Sequence, residues 1–123
     1  MDMKDVASAL VAGCREGRET ENIDRLYAED AVSVEAADMG RGRETKGREG
    51  IKAKHEWFSG MFEQIESTVS EPMPHGDDRF AVLFDMTMRN RETGAIEEMR
   101  DIGVYHVKDG RIVREEFFYP TGG

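Results

Sequence analysis

The sequence predicts an α+β domain in which helices come first and an antiparallel meander of strands follows, and three stretches carry that prediction. Ile51, His55, Phe58, Phe62 and Ile65 recur at spacings of 4, 3, 4 and 3. At 3.6 residues per turn they fall within about 80° of one helix face. Phe80, Val82, Phe84, Met86 and Met88 alternate with Ala81, Leu83, Asp85, Thr87 and Arg89, which is the period of a strand. Ile96 to Val107 and Arg111 to Tyr119 are two further strands, joined by the hairpin turn Lys108-Asp109-Gly110.

Composition narrows the function classes. A chain of 123 residues reads as one domain over 1–123, long enough to bury about two-thirds of its unfolded surface and to hold one pocket. Cys14 is the only cysteine, which excludes an intrachain disulfide and a multi-cysteine zinc site and fits a reducing compartment. No run has the apolar length to cross a bilayer, and Asp2, Lys4 and Asp5 stand where a signal peptide needs a basic start and an apolar block, so we expect a cytoplasmic protein. The net charge of −9, with basic residues interleaved among acids, argues against nucleic acid as a partner. There is no Gly-rich phosphate loop, and His55, His75 and His106 share no ligand-like interval. We expect neither a metal nor an organic cofactor.

Taken in order, Asp5 to about Glu16 forms a first helix, with Asp5 as its cap, Val6, Ala9, Leu10 and Gly13 down one face and Gly17 as its stop. Cys14 continues that face as a packing residue. Asn22 caps a short second helix carrying Ile23, Leu26 and Tyr27 at i, i+3, i+4 spacing. Tyr27 is either a core tyrosine with its oxygen at the rim or a hydrogen-bond donor into a cavity. Ala31 to Ala36 alternates as a short strand. Ala37 to Gly50, rich in glycine and charge, reads as a surface loop, a lid or a plain connection. The third and longest helix follows over Ile51 to Ile65, with Lys52, Glu56, Ser59, Glu63 and Glu66 toward water. Glu66 to Pro72 is a weak strand, and Pro72, Pro74, Gly76 and Asp77 make a turn ahead of the strand Arg79 to Arg91.

His55 stands inside the apolar stripe, where a titratable group costs free energy unless it has a partner. It is either a core histidine tied to a carbonyl or carboxylate, or a polar group in a ligand pocket. The strands add carboxylates: Glu35, Asp85, Asp101 and Glu115 interrupt apolar runs. An acid enclosed by apolar walls has its pKa raised and becomes a usable acid or base near neutrality. Pairing with Arg89, Arg100 or Arg114 on an outer face is the competing account. The last strand is amphipathic in both parities, so either Glu115 and Tyr119 or Arg114 and Glu116 face the pocket.

The order of elements, together with Leu26-Tyr27-Ala28-Glu29-Asp30-Ala31-Val32, Gly47-Arg48-Glu49-Gly50-Ile51, Trp57-Phe58 and the run Val104 to Tyr119, resembles the SnoaL-like branch of the nuclear-transport-factor-2-like superfamily. The resemblance implies a cone with two further N-terminal helices, in which a curved, antiparallel-rich mixed sheet wraps the long helix and a pocket opens between them toward the helices. It also implies a homodimer built through the outer sheet face. In cyclases of that superfamily an acid/base aspartate often follows the last strand, and here Pro120 takes that place. The expectation is a pocket for a small apolar or aromatic metabolite, as a cofactor-independent isomerase, cyclase or dehydratase or as a non-catalytic binding or assembly module. The candidate catalytic residues are His55, Asp101, Glu115 and Glu35, a carboxylate removing a proton alpha to a carbonyl while His55 or Tyr27 hydrogen-bonds the developing enolate. The candidate ligand contacts are Tyr27, Trp57, Phe58, Phe84 and Tyr119.

Overall fold

The structure, a computed structural model, describes residues 1–121. Helix α1 (Met3–Arg15) begins earlier than its pattern implied. The Asp2 carboxylate accepts from the Asp5 N–H at 2.9 Å, and the Asp5 carboxylate accepts from the Asp2 N–H at 3.2 Å. This reciprocal pair makes Asp2 the cap and moves Asp5 into the first turn. Helix α2 (Glu19–Leu26) follows from Arg18, which offers no side-chain cap. Asn22 is therefore not a cap. It is buried in the middle of α2, where its Nδ2 donates to the Leu10 carbonyl at 3.1 Å. Gly13 makes that approach feasible, since a Cβ there would lie 2.3 Å from Asn22 Oδ1.

Tyr27 does not extend α2 but opens strand β1 (Tyr27–Val34) in extended backbone. The segment expected to be wholly loop contains strand β2 (Glu44–Lys46), paired antiparallel with β1 through Val32 and Lys46. Gly47, at φ 81°, turns the chain into α3 (Arg48–Met61) while donating to the Ala31 carbonyl at 2.7 Å. A side-chain-bearing residue adopts that backbone only under strain. Helix α3 stops at Met61 and not at Ile65. Phe62 begins strand β3 (Phe62–Val69), and Ile65 is exposed. Strand β4 (Met73–His75) lies within the expected turn and pairs with β5 (Arg79–Asn90). Strands β6 (Ile96–Lys108) and β7 (Arg111–Phe118) complete the meander, turning through Asp109 and Gly110, both at positive φ.

The sheet runs β2-β1-β7-β6-β5-β3, with β4 on β5. Among the described residues only β1 and β7 pair in parallel, so the sheet is mixed and mostly antiparallel, and the fold is α+β as expected. Val6, Leu10, Ile23, Leu26, Ile51, Phe80, Val82 and Ile112 are fully buried between helices and sheet. Each such side chain stabilises the fold by about 1.5–3 kcal/mol. The parallel register sets Ser33 opposite Glu115, and both are buried. Glu115, Phe117 and Tyr119 therefore face the helices, while Glu116 faces outward, with His106 Nε2 3.2 Å from its Oε1.

Candidate functional site

Beyond the packed core, the stripe on α3 overlooks open space. Ile51 alone is buried on that helix, and His55, Trp57 and Phe58 are half-buried around a cavity of about 1300 Å³. Phe58 still touches Phe62 across the helix-to-strand junction, ring centroids 5.0 Å apart. Side chains of β1, β3, β5, β6 and β7 line the same cavity with residues of all three helices, so the sheet curls about them. All nine candidate residues line it: His55, Asp101, Glu115, Glu35, Tyr27, Trp57, Phe58, Phe84 and Tyr119. Asp85 lies on the outer face, 2.9 Å from Arg100 Nε, which is the arginine-paired alternative.

The polar groups divide by whether the protein already satisfies them. Glu115 is 1% exposed, and its oxygens are taken. Tyr27 donates to Oε1, and Ser33 donates to Oε2 at 2.7 Å. Ser33 in turn accepts from Lys54 Nζ, which lies 3.4 Å from Glu35 Oε1 and 5.4 Å from the Phe117 ring centroid. This chain from Tyr27 to Glu35 ties β1, β7 and α3 together, and burial, then the charge of Glu115, pushes the Tyr27 hydroxyl pKa well up. Tyr27 thus sits in the core with its hydroxyl committed to a carboxylate.

The second set makes no hydrogen bond among the described residues. His55 has its pKa lowered, chiefly by burial and against the pull of Glu115, so its imidazole is neutral at pH 7. Asp101 projects from β6, and burial, helped by the charge of Glu35, pushes its carboxyl up from 3.8 to about 6. Tyr105, also on β6, is buried and stays protonated, its pKa raised well above 10 first by burial and then by Glu115. At the mouth the Arg41 guanidinium lies 5.9 Å from the Trp57 ring centroid.

Lys54, Ser33 and Tyr105 were not singled out from sequence. Lys54 was within reach, since it stands three residues after Ile51 and four before Phe58, the reverse of the 4-3 spacing that selected His55. Among the described residues no group of three or more His, Cys, Asp or Glu side chains is arranged to hold a metal, and no helix is long and apolar enough to cross a membrane.

A family model described as a SnoaL-like domain matches residues 1–119. No curated protein matches the chain. A solved structure from Mesorhizobium loti, named for SnoaL-like polyketide cyclases, is 28% identical with TM-score 0.90 and covers 97% of this chain and 100% of its own. A Bacillus subtilis structure named as an isomerase is 21% identical with TM-score 0.80, covering 98% and 90%. A Mycobacterium tuberculosis protein in complex with estradiol-17β-hemisuccinate is 20% identical with TM-score 0.76, covering 98% and 96%.

Proposed function

Because this chain belongs to the SnoaL-like domain family, we propose that its cavity binds a small apolar or aromatic metabolite and that Asp101, with His55 in the same cavity, performs cofactor-independent acid/base chemistry on it. The observation that carries this reading is Asp101 itself, a carboxyl without a protein partner, pushed up to about 6 inside an aromatic-lined cavity. Such a group is mostly ionised at pH 7 yet holds a proton well enough to return it. It would take the proton from the carbon alpha to a carbonyl, leaving the C–H electron pair to move onto the carbonyl oxygen as an enolate. Neutral His55 would donate a hydrogen bond to that oxygen, and return of the proton at another carbon completes an isomerisation. Glu115 and Tyr27, committed to each other, hold the frame in this scheme, and Glu35 serves as partner to Lys54.

The test is deuterium exchange at the alpha carbon of 1-tetralone in D2O, followed by proton NMR. Wild-type protein is expected to accelerate exchange over buffer, and Asp101→Asn to return it to the buffer rate. A wild-type rate equal to buffer would overturn the acid/base assignment. The second reading, ligand capture without turnover, is favoured by Pro120, which lines the cavity at the place where the resemblance implies an acid.

We also propose a homodimer through the outer sheet face. Ile102, 41% exposed, is register partner to both Leu83 and Phe118, and Phe118 is 53% exposed. This is an apolar cluster on the side of the sheet away from the helices. Sedimentation at micromolar concentration should give twice the mass of one chain, and a single-chain species would remove the proposal.

A further inference from the structure

A polar group that opens onto a cavity without a protein partner is free to meet a ligand there. Tyr105 is 3% exposed and lines the cavity, yet its hydroxyl enters no hydrogen bond among the described residues. No enclosed side-chain polar atom lacks a partner among those residues. The hydroxyl is therefore open to the cavity. Tyr27, equally buried, gives its hydroxyl to Glu115. Tyr105 stands opposite Glu115 in the β6–β7 register and does not bond to it. Its ring instead lies along its own strand, over Gly103.

That posture is built into β6. A Cβ at Gly103 would lie 3.0 Å from Tyr105 Cε2, 3.1 Å from Tyr105 Oη and 3.1 Å from Phe84 Cε2. Glycine weakens a strand interior, and here it clears the place where the two rings meet. Phe80 stacks on the Tyr105 ring at 5.1 Å and Phe117 meets it edge-on at 6.2 Å, so the ring is held from two sides. A rigid donor with its partner position open pays little ordering cost on binding. Asp101 lies two residues beyond Gly103 on the same face of the strand, so a molecule reaching this hydroxyl also passes the unpartnered carboxyl.

We propose that Tyr105 is a ligand-binding residue of this cavity, donating its hydroxyl to an acceptor oxygen of the ketone class on an apolar or aromatic ligand. The assignment rests on the reading of the cavity given above. It goes further by naming the donor and the ligand group that it meets.

The probes are 1-tetralone and tetralin, two fused-ring molecules that differ in the carbonyl oxygen, titrated into wild type and Tyr105→Phe by calorimetry. Because the removed hydroxyl has no protein partner, the variant should melt with the wild type. Expected is a loss of about fivefold in 1-tetralone affinity and none in tetralin affinity, the size of one net hydrogen bond. The infrared carbonyl band of bound 1-tetralone should lie lower in wild type than in Tyr105→Phe. Equal weakening of both compounds, or no weakening of 1-tetralone, would overturn the Tyr105 assignment and leave the cavity reading standing. Failure of both compounds to bind wild type would remove both.

Discussion

Replacing Asp101 by Asn should stabilise the protein in a pH-dependent way, and the size of the effect follows from the cavity. The carboxyl goes from 3.8 in an open chain to about 6 in the fold, chiefly through burial. Below pH 3.8 it is protonated in both states and costs nothing. Between 3.8 and 6 the unfolded chain releases the proton while the folded chain keeps it, so stability falls as pH rises, and above 6 the penalty is constant. A shift of about two units at about 1.4 kcal/mol each sets a ceiling of about 3 kcal/mol. Asp101 is half-buried and faces an open cavity, so water screens part of this and about 1–2 kcal/mol is expected. Asn matches the protonated acid in shape and carries no charge to desolvate. Urea denaturation from pH 3 to pH 8 should show coincident midpoints at the acid end and an Asn midpoint higher by about 0.5–1 M at pH 8. Curves that coincide throughout, or an Asn variant weaker at pH 8, would refute the claim that burial strains this carboxylate.

Three further outcomes follow from the packing. Tyr27→Phe strands one oxygen of the buried Glu115 and should cost about 1.5–3 kcal/mol by chemical denaturation, where Tyr105→Phe costs about nothing. Gly13→Ala should destabilise by about 1–3 kcal/mol in thermal melts, because the new methyl meets Asn22, although helix propensity alone would favour Ala by about 1 kcal/mol. Cys14, pushed up to about 12 by burial and then by the charges of Glu19 and Glu115, should resist iodoacetamide at pH 8 in the native protein and react once unfolded, as read by mass spectrometry.

The sequence revealed most where a local period had one interpretation. The alternation in β5 and the Asp109-Gly110 hairpin stand in the structure within a residue or two of the pattern. Distant pairing decided the rest. The 4-3 spacing runs on to Ile65, but the β3–β5 ladder captures the chain at Phe62, register partner of Asn90, while Arg91 donates to the carbonyls of Met61 and Ser59. Asn22 carries the signal of a cap, and the same amide serves as a buried cross-helix tie, a role that only the partner helix reveals. The parity of β7 was open because both faces are amphipathic, and its parallel pairing with β1 settles it. All nine residues chosen for the site line the cavity, five of them aromatic, whereas Asp85, which interrupts a strand as Asp101 does, faces outward to Arg100. The division between satisfied and unsatisfied polar groups was not readable, since it depends on contacts spanning 82 to 88 positions along the chain.

The parallel seam between β1 and β7 joins an early strand to the last one, and this has a consequence for biogenesis. While a ribosome still holds β7, Tyr27 and Ser33 are already outside but the acid they clasp is not, so the helical half must wait with those hydroxyls in water. Closing so long a loop is slow relative to local hairpin formation. The nascent molecule thus commits to its native shape only once β7 is free of the ribosome, and a stop codon upstream of Glu115 should yield a product for the proteases.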